Sequence, residues 1–181
     1  VPVYNVDHLL GFFSVFTPEA VKKVTLFKSS FPARFGGRLS SVIDVRTNDG
    51  DMKNYHGVVS VGLLTSKINF EGPIIKNRTS FNISARRSYI DLLAKPFMPK
   101  DEKYSYYFFD VNAKINHKFS DRSRLFLSAY NGKDHFMTKY DDTYYGDEDK
   151  YRDGGKMNRG NTIVSGRWNY IFNNKLFSNT T

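Results

Sequence analysis

Residues 109–119 alternate polar and apolar side chains along almost their whole length. The even positions carry Asp, Asn, Lys, Asn and Lys, whereas the odd positions are apolar except for His117. Only a β-strand has a side-chain period of two, so this segment predicts a strand with one apolar face and one polar face. The same alternation recurs in residues 79–88, 125–130 and 162–172, which indicates a mainly β chain.

Short turns and longer connections alternate between these strands. Short turns are expected at Ile75, Asp121 and Asn174, and the longest connection is the polar stretch 141–159. Between residues 55 and 177 we therefore expect six antiparallel strands in one sheet, with the short turns on one rim and the long loop on the other. This arrangement is typical of outer-membrane barrels, which have one rim of short turns and one of long loops.

The first of these strands contains a conflict. Residues 55–70 are interpreted as one strand, but Val61 lies in one register and Ile68 and Phe70 lie in the other. A bulge near Leu63 or a shorter strand would reconcile the two registers.

Residues 1–50 differ in character from the rest of the chain. Thr17 and Pro18 predict the start of a short helix, because they suit the cap and first position of a helix. Residues 24–27 and 41–47 predict strands on either side of a glycine-containing loop. The chain is expected to divide near Gly50 into residues 1–50 and residues 51–181.

Composition narrows the class of protein. Mean hydropathy is −0.50, and no apolar run reaches the roughly 18 residues that a membrane-spanning helix needs. A barrel remains compatible, because half of each strand faces a polar lumen. The chain has no Cys, which removes disulfides and thiolate metal sites. The net charge of +9 comes from basic residues spread from Lys22 to Lys175, so we expect no nucleic-acid partner.

Catalytic and metal motifs are not evident in the chain. The four histidines are isolated from one another, and the pair Gly36-Gly37 lacks the Lys-Ser/Thr that a phosphate loop requires. We therefore expect no enzyme, no cofactor and no catalytic residue. The acidic stretch 141–153 is open to two interpretations, a calcium site without EF-hand spacing or a solvated loop, and of the two we expect the loop, with no metal.

Several segments resemble a known family. Residues 21–29, VKKVTLFKS, and 31–46, FPARFGGRLSSVIDVR, are similar to the end of the plug domain of TonB-dependent outer-membrane receptors of the Bacteroidota type. Residues 71–75, EGPII, and 110–116, DVNAKIN, resemble the first barrel hairpins of such receptors. The opening residues 1–5 resemble the segment immediately after the family's "LDG" element.

The resemblance implies a fold for each part of the chain. Residues 1–50 would be the C-terminal part of an α+β plug domain. Residues 51–181 would be roughly the first six antiparallel strands of a transmembrane β-barrel, which is incomplete in a chain interpreted as a fragment. The odd positions of residues 109–119 are then expected to face lipid.

The resemblance also implies a function, which is active transport. A receptor of this family captures a ligand at the cell surface and imports it into the periplasm with energy delivered by TonB. The implied location is the cell outer membrane. The implied partners are TonB with its inner-membrane motor, reached through a segment upstream of this chain, together with outer-membrane lipid, an unidentified transported ligand and a surface lipoprotein. The alternative is a non-transporting structural or scaffold barrel in an outer-membrane complex.

Ligand contacts are implied by the same resemblance. The family's plug loops that rise towards the external face correspond here to Tyr4 and Asn5 in one loop and to Arg34 and Phe35 in another. Aromatic rings and a guanidinium could hold a polar ligand by stacking and by bidentate hydrogen bonds. The other interpretation is structural, with Tyr4 and Phe35 packing the plug against the barrel wall and Arg34 pairing with a lumen carboxylate.

Overall fold

The computed structural model describes residues 3, 7–8, 11–28, 30–37, 40–98, 102–142 and 151–181. Strands account for most of these residues, which confirms the expectation of a mainly β protein with antiparallel pairing. No helix within the described ranges has the length and apolar character needed to cross a membrane.

Two small antiparallel pairs form the first part of the chain. Strand β1 (Asp7–His8) pairs with β2 (Phe13–Ser14), and β3 (Val21–Lys28) pairs with β4 (Ser41–Thr47). The predicted strands at 24–27 and 41–47 are thus confirmed. The predicted helix after Thr17 is a single 3-10 turn, Pro18–Ala20, because the chain turns directly into β3.

The rest of the chain forms one larger antiparallel sheet. Seven strands follow one another as neighbours in chain order, and an eighth, β10, pairs with the end of β9. The strands are β5 (His56–Val61), β6 (Thr65–Ile75), β7 (Thr79–Ser88), β8 (Glu102–Ser120), β9 (Ser123–Asp142), β10 (Tyr151–Asp153), β11 (Lys156–Asn173) and β12 (Leu176–Thr180). Between β7 and β8 lie the short helix α1 (Ile90–Ala94) and a 3-10 turn, Lys95–Phe97.

The three predicted short turns are confirmed, at residues 76–78, 121–122 and 174–175. The connection predicted at 141–159 is too long, because β9 continues to Asp142 and β11 already begins at Lys156. Residues 143–150, the centre of that loop, lie outside the described residues.

The single strand predicted at 55–70 is wrong. The chain reverses at residues 62–64, and β5 and β6 pair antiparallel, with Val59 opposite Ile68. The Gly62 N–H donates to the Thr65 carbonyl oxygen at 2.9 Å and closes the turn. This reversal explains the register conflict, because it brings the apolar residues of both registers to the same face. Together with β10, this reversal gives the described sheet eight strands in place of the six that were predicted.

The sheet buries its polar face and exposes its apolar face. On β8, Asp110 and Asn116 are fully buried, whereas Val111 and Ile115 are 39% and 43% exposed. Strand β7 obeys the same rule, since its serine and asparagine side chains at the even positions are buried. This pattern is the reverse of a sheet that packs its apolar face into a core.

Gly50 joins the first part of the chain to the sheet. Its φ is +79°, and a Cβ at this position would lie 2.3 Å from the carbonyl oxygen of Phe81 in β7. The residue must therefore be glycine, because the chain crosses directly against the backbone of the sheet in a left-handed conformation.

Candidate functional site on the buried polar face

The described residues between 7 and 50, here called the N-terminal segment, lie on the polar face of the sheet. Their contacts reach β6, β7, β8 and β9 through side chains that point inward from those strands. Most of these contacts are ion pairs and hydrogen bonds. Two groups of polar and charged side chains, one centred on the buried His8 and one on the buried Asp49, hold the segment in place.

The first group centres on His8 in β1, which is 1% exposed. Its Nδ1 lies 3.1 Å from Asp134 Oδ2, and its Nε2 lies 3.5 Å from Asp110 Oδ2. The imidazole also stacks on Phe108, with ring centroids 4.4 Å apart and planes 7° from parallel. One side chain therefore ties β1 to both β8 and β9.

Arg86 completes this first group from β7. Its Nε and Nη2 donate to Asp110 Oδ2 at 2.9 and 2.7 Å, and Nη2 also donates to the Ser14 carbonyl oxygen at 2.6 Å. Arg86 and Asp110 are direct cross-strand partners, so the sheet register itself presents the carboxylate to the guanidinium. Loss of one partner from such a buried pair leaves an uncompensated charge, which typically lowers the free energy of unfolding by about 3–5 kcal/mol.

The second group centres on Asp49, just after β4. Its carboxylate lies 2.7 Å from Lys114 Nζ, 3.0 Å from Arg46 Nη2 and 3.5 Å from Lys22 Nζ. Lys114 also donates to the Thr47 carbonyl oxygen at 3.1 Å. A lysine from the centre of β8 is thus shared between the end of β4 and the acid just beyond it.

The protonation of Asp49 reflects two opposing influences. Burial alone would raise the pKa of this carboxyl, but the hydrogen bonds and charges of Lys114 and Arg46 outweigh burial and hold the pKa below its ordinary value. Asp49 is therefore charged at neutral pH and acts as the counter-ion for the surrounding cations.

Further polar contacts extend the interface across the sheet. Lys67 Nζ lies 2.5 Å from Glu19 Oε1, and Asn48 Nδ2 donates to Glu71 Oε2 at 2.7 Å. Ser80 Oγ donates to the Asp49 carbonyl oxygen at 2.9 Å. Polar groups can exchange such partners for water when an interface opens, whereas opening an apolar interface would expose hydrocarbon. These contacts add further polar links between the N-terminal segment and strands β6 and β7.

The structure describes only part of the predicted ligand site. Tyr4 and Asn5 lie outside the described residues. Arg34 and Phe35 share the 3-10 turn Ala33–Phe35, of which Arg34 is described only in its backbone. The Phe35 ring is half-buried and lies 5.5 Å from the ring of Phe27 in β3. Ligand contact by these four residues stays a prediction.

Sequence reasoning missed the two buried groups. His8 had no acidic partner in a recognisable motif, and its partner Asp134 is 126 residues away. One signal was present in the sequence. Asp110 and Lys114 lie on the polar side of β8 beside Asn112 and Asn116. Charged side chains on a strand face that becomes buried require partners. The side chains of residues 141–153 lie outside the described set, so both interpretations of that acidic stretch stay open.

Comparisons of the chain with protein-family models, with curated proteins and with solved structures found no match. The buried polar face and the exposed apolar face are therefore the basis for assigning a function.

Proposed function

We propose that this chain is part of a TonB-dependent outer-membrane receptor, which captures a ligand at the cell surface and imports it into the periplasm with energy delivered by TonB. In this proposal the N-terminal segment is the end of the plug, and strands β5–β12 are part of the barrel wall. The observation that carries the proposal is the inverted burial of the sheet, with its polar side covered and its apolar side bare.

The bare face supports a lipid environment. Cross-strand pairing brings large apolar side chains from β5 to β11 onto one surface, where they are 39–79% exposed. They are Val59, Val61, Ile68, Phe70, Ile83, Val111, Ile115, Leu127, Val164 and Trp168. In water, contiguous apolar patches rarely exceed a few hundred Å². The hydrocarbon chains of a lipid bilayer would cover this surface without a free-energy cost.

The height of the bare face is also consistent with a bilayer. On β8 the outward apolar run extends from Phe109 to Phe119, with His117 as its only polar member, and has a length of about 34 Å at about 3.4 Å per residue. A tilt of about 45° reduces this length to a height of about 24 Å, close to the apolar band of about 25 Å in outer-membrane barrels. Lys133, which pairs with Phe109, marks the polar edge of the band on β9.

The covered face supports the assignment of the N-terminal segment as a plug. A plug must close the lumen at rest and move when ligand is imported. The His8 and Asp49 groups provide charged and hydrogen-bonded contacts of the kind that can be remade with water. A plug fixed by a large apolar core would have to expose hydrocarbon at every transport cycle.

The proposal is tested with the complete gene product in its own cells. It should fractionate with the outer membrane and cross-link to TonB. Its deletion should abolish growth on at least one nutrient in a panel of iron chelates, cobalamin and oligosaccharides, and a strain lacking TonB should show the same defect. An outer-membrane location with unchanged uptake of the whole panel, together with a permanently co-purifying partner, would contradict transport and favour the scaffold alternative.

A further inference from the structure

A cavity of about 530 Å³ opens at the short-turn end of the sheet, on its polar face. It lies between the loop after Gly50 and the turns at residues 76–78 and 121–122. Neither the His8 group nor the Asp49 group lines it. Its size falls within the range of ordinary small-molecule sites, about 300–1,000 Å³.

The side chains around this cavity carry an excess of positive charge. Four cationic residues line it, Lys53, Lys118, Arg122 and Arg124, against one carboxylate, Asp121. Asp121 is paired with Lys118 and is otherwise 91% exposed, so it does not neutralise the remaining cations. Within the described part of the chain, the ammonium of Lys53 and the guanidinium of Arg122 have no hydrogen-bond or ion-pair partner.

Arg124 is held in a defined position beside these free cations. Its Nε donates to Asn116 Oδ1 at 2.7 Å, and its guanidinium lies 5.3 Å from the centroid of the buried Phe126 ring. These two contacts orient the guanidinium without neutralising it, because neither partner is an anion. A fixed guanidinium needs little reordering to bind an anion, so it favours a site over a diffuse charged surface.

A further cation behind the cavity increases its positive potential. Arg167 also faces the Phe126 ring, with its guanidinium 4.6 Å from the ring centroid. The Nε of Arg167 is buried and has no hydrogen-bond partner among the described residues. A concave site with charges of one sign over poorly hydrated walls concentrates ions of the opposite sign.

We propose that this cavity binds a phosphate-bearing ligand, with Arg122 and Arg124 as the forked donors and Lys53 as a mobile point charge. Guanidinium donors fit phosphate oxygens in pairs, and a free phosphate compound such as pyrophosphate carries several negative charges, whereas a carboxylate or a phospholipid phosphodiester carries one. The phosphate group can belong to a free phosphate compound or to a phospholipid headgroup. The site does not depend on transport, because it is formed by the turn end of the sheet and the loop after Gly50.

Calorimetric titration of the full-length protein in detergent tests the site with pyrophosphate as the free probe. Nanodiscs of phosphatidylglycerol, compared with nanodiscs of phosphatidylcholine, test the headgroup source. We expect saturable binding of pyrophosphate or a preference for phosphatidylglycerol. Arg122→Gln should weaken the observed binding about tenfold, the size of one charge-assisted contact. Because the guanidinium of Arg122 has no partner among the described residues, this variant should retain native stability.

Lys175→Gln is the matched control, because Lys175 is an exposed cation of the turn 174–175 that does not line the cavity. It should leave binding unchanged. Absence of binding in both arms would overturn the proposal. So would an equal loss in Lys175→Gln and Arg122→Gln, since it would indicate attraction to the general positive charge of the protein.

Discussion

Ile115→Arg is the sharpest test of the inverted sheet. Ile115 points outward from β8, is 43% exposed, and lies one residue from residue 114, the centre of the outward apolar run. At about 3.4 Å per residue and a tilt of about 45°, its Cα would lie about 2 Å from the bilayer midplane. An arginine at that depth costs about 2–4 kcal/mol in an outer-membrane barrel.

The expected cost is very different if this face is in water. A surface substitution that breaks no contact usually changes the free energy of unfolding by less than about 0.5 kcal/mol. The expected costs of the substitution in lipid and in water therefore differ by more than about 1.5 kcal/mol, which is a factor of more than about ten in the unfolding equilibrium constant. Val111→Arg, about 7 Å from the midplane on the same face, should fall between these limits.

The assay is urea titration of the complete gene product folded into lipid vesicles, with the folded fraction measured by gel mobility. Phe97→Arg is the control, because Phe97 is 88% exposed in the 3-10 turn Lys95–Phe97 outside the sheet. If Ile115→Arg and Phe97→Arg change the free energy of unfolding equally, the apolar face does not contact lipid and the proposed location of the protein is refuted.

Three further perturbations probe the polar interface. Asp110→Asn should lower the free energy of unfolding by about 3–5 kcal/mol, because it leaves the buried guanidinium of Arg86 without its counter-ion. Urea titration measures this loss, and a loss below about 1 kcal/mol would contradict a buried ion pair. The pKa of Asp49 is lowered in the folded state, so its stabilisation is complete above the unfolded value near 3.8 and is lost as the pH falls through the folded value. Limited proteolysis should accordingly release the N-terminal segment more readily at low pH, and Asp49→Asn should remove that part of the pH dependence. Gly50→Ala should destabilise the folded protein more than Gly37→Ala does. Both residues have positive φ, but only a Cβ at Gly50 would lie within 3 Å of other backbone atoms. Equal melting temperatures of the two variants would show that the close approach to β7 is absent.

Local pattern was enough to predict much of the sheet. The period-two alternation of residues 109–119 and the turn residues near Asp121 and Asn174 act through backbone geometry within a few residues. Most of strand β8, the turn that follows it and the turn between β11 and β12 were therefore predictable. The reversal at residues 62–64 was not predictable from local pattern. A bulge and a turn both shift the hydrophobic register in the sequence in the same way, and only the pairing of β5 with β6 distinguishes them.

The sequence also determined which residues share a face, but not which face is buried. Alternation is symmetrical, so Asp110 and Val111 could each have pointed towards solvent. The placement of the N-terminal segment decided this, since it covers the side that carries Asp110 and Lys114. Its position depends on contacts between residues far apart in the chain, such as His8 with Asp134, and short-range patterns carry no information about such pairs.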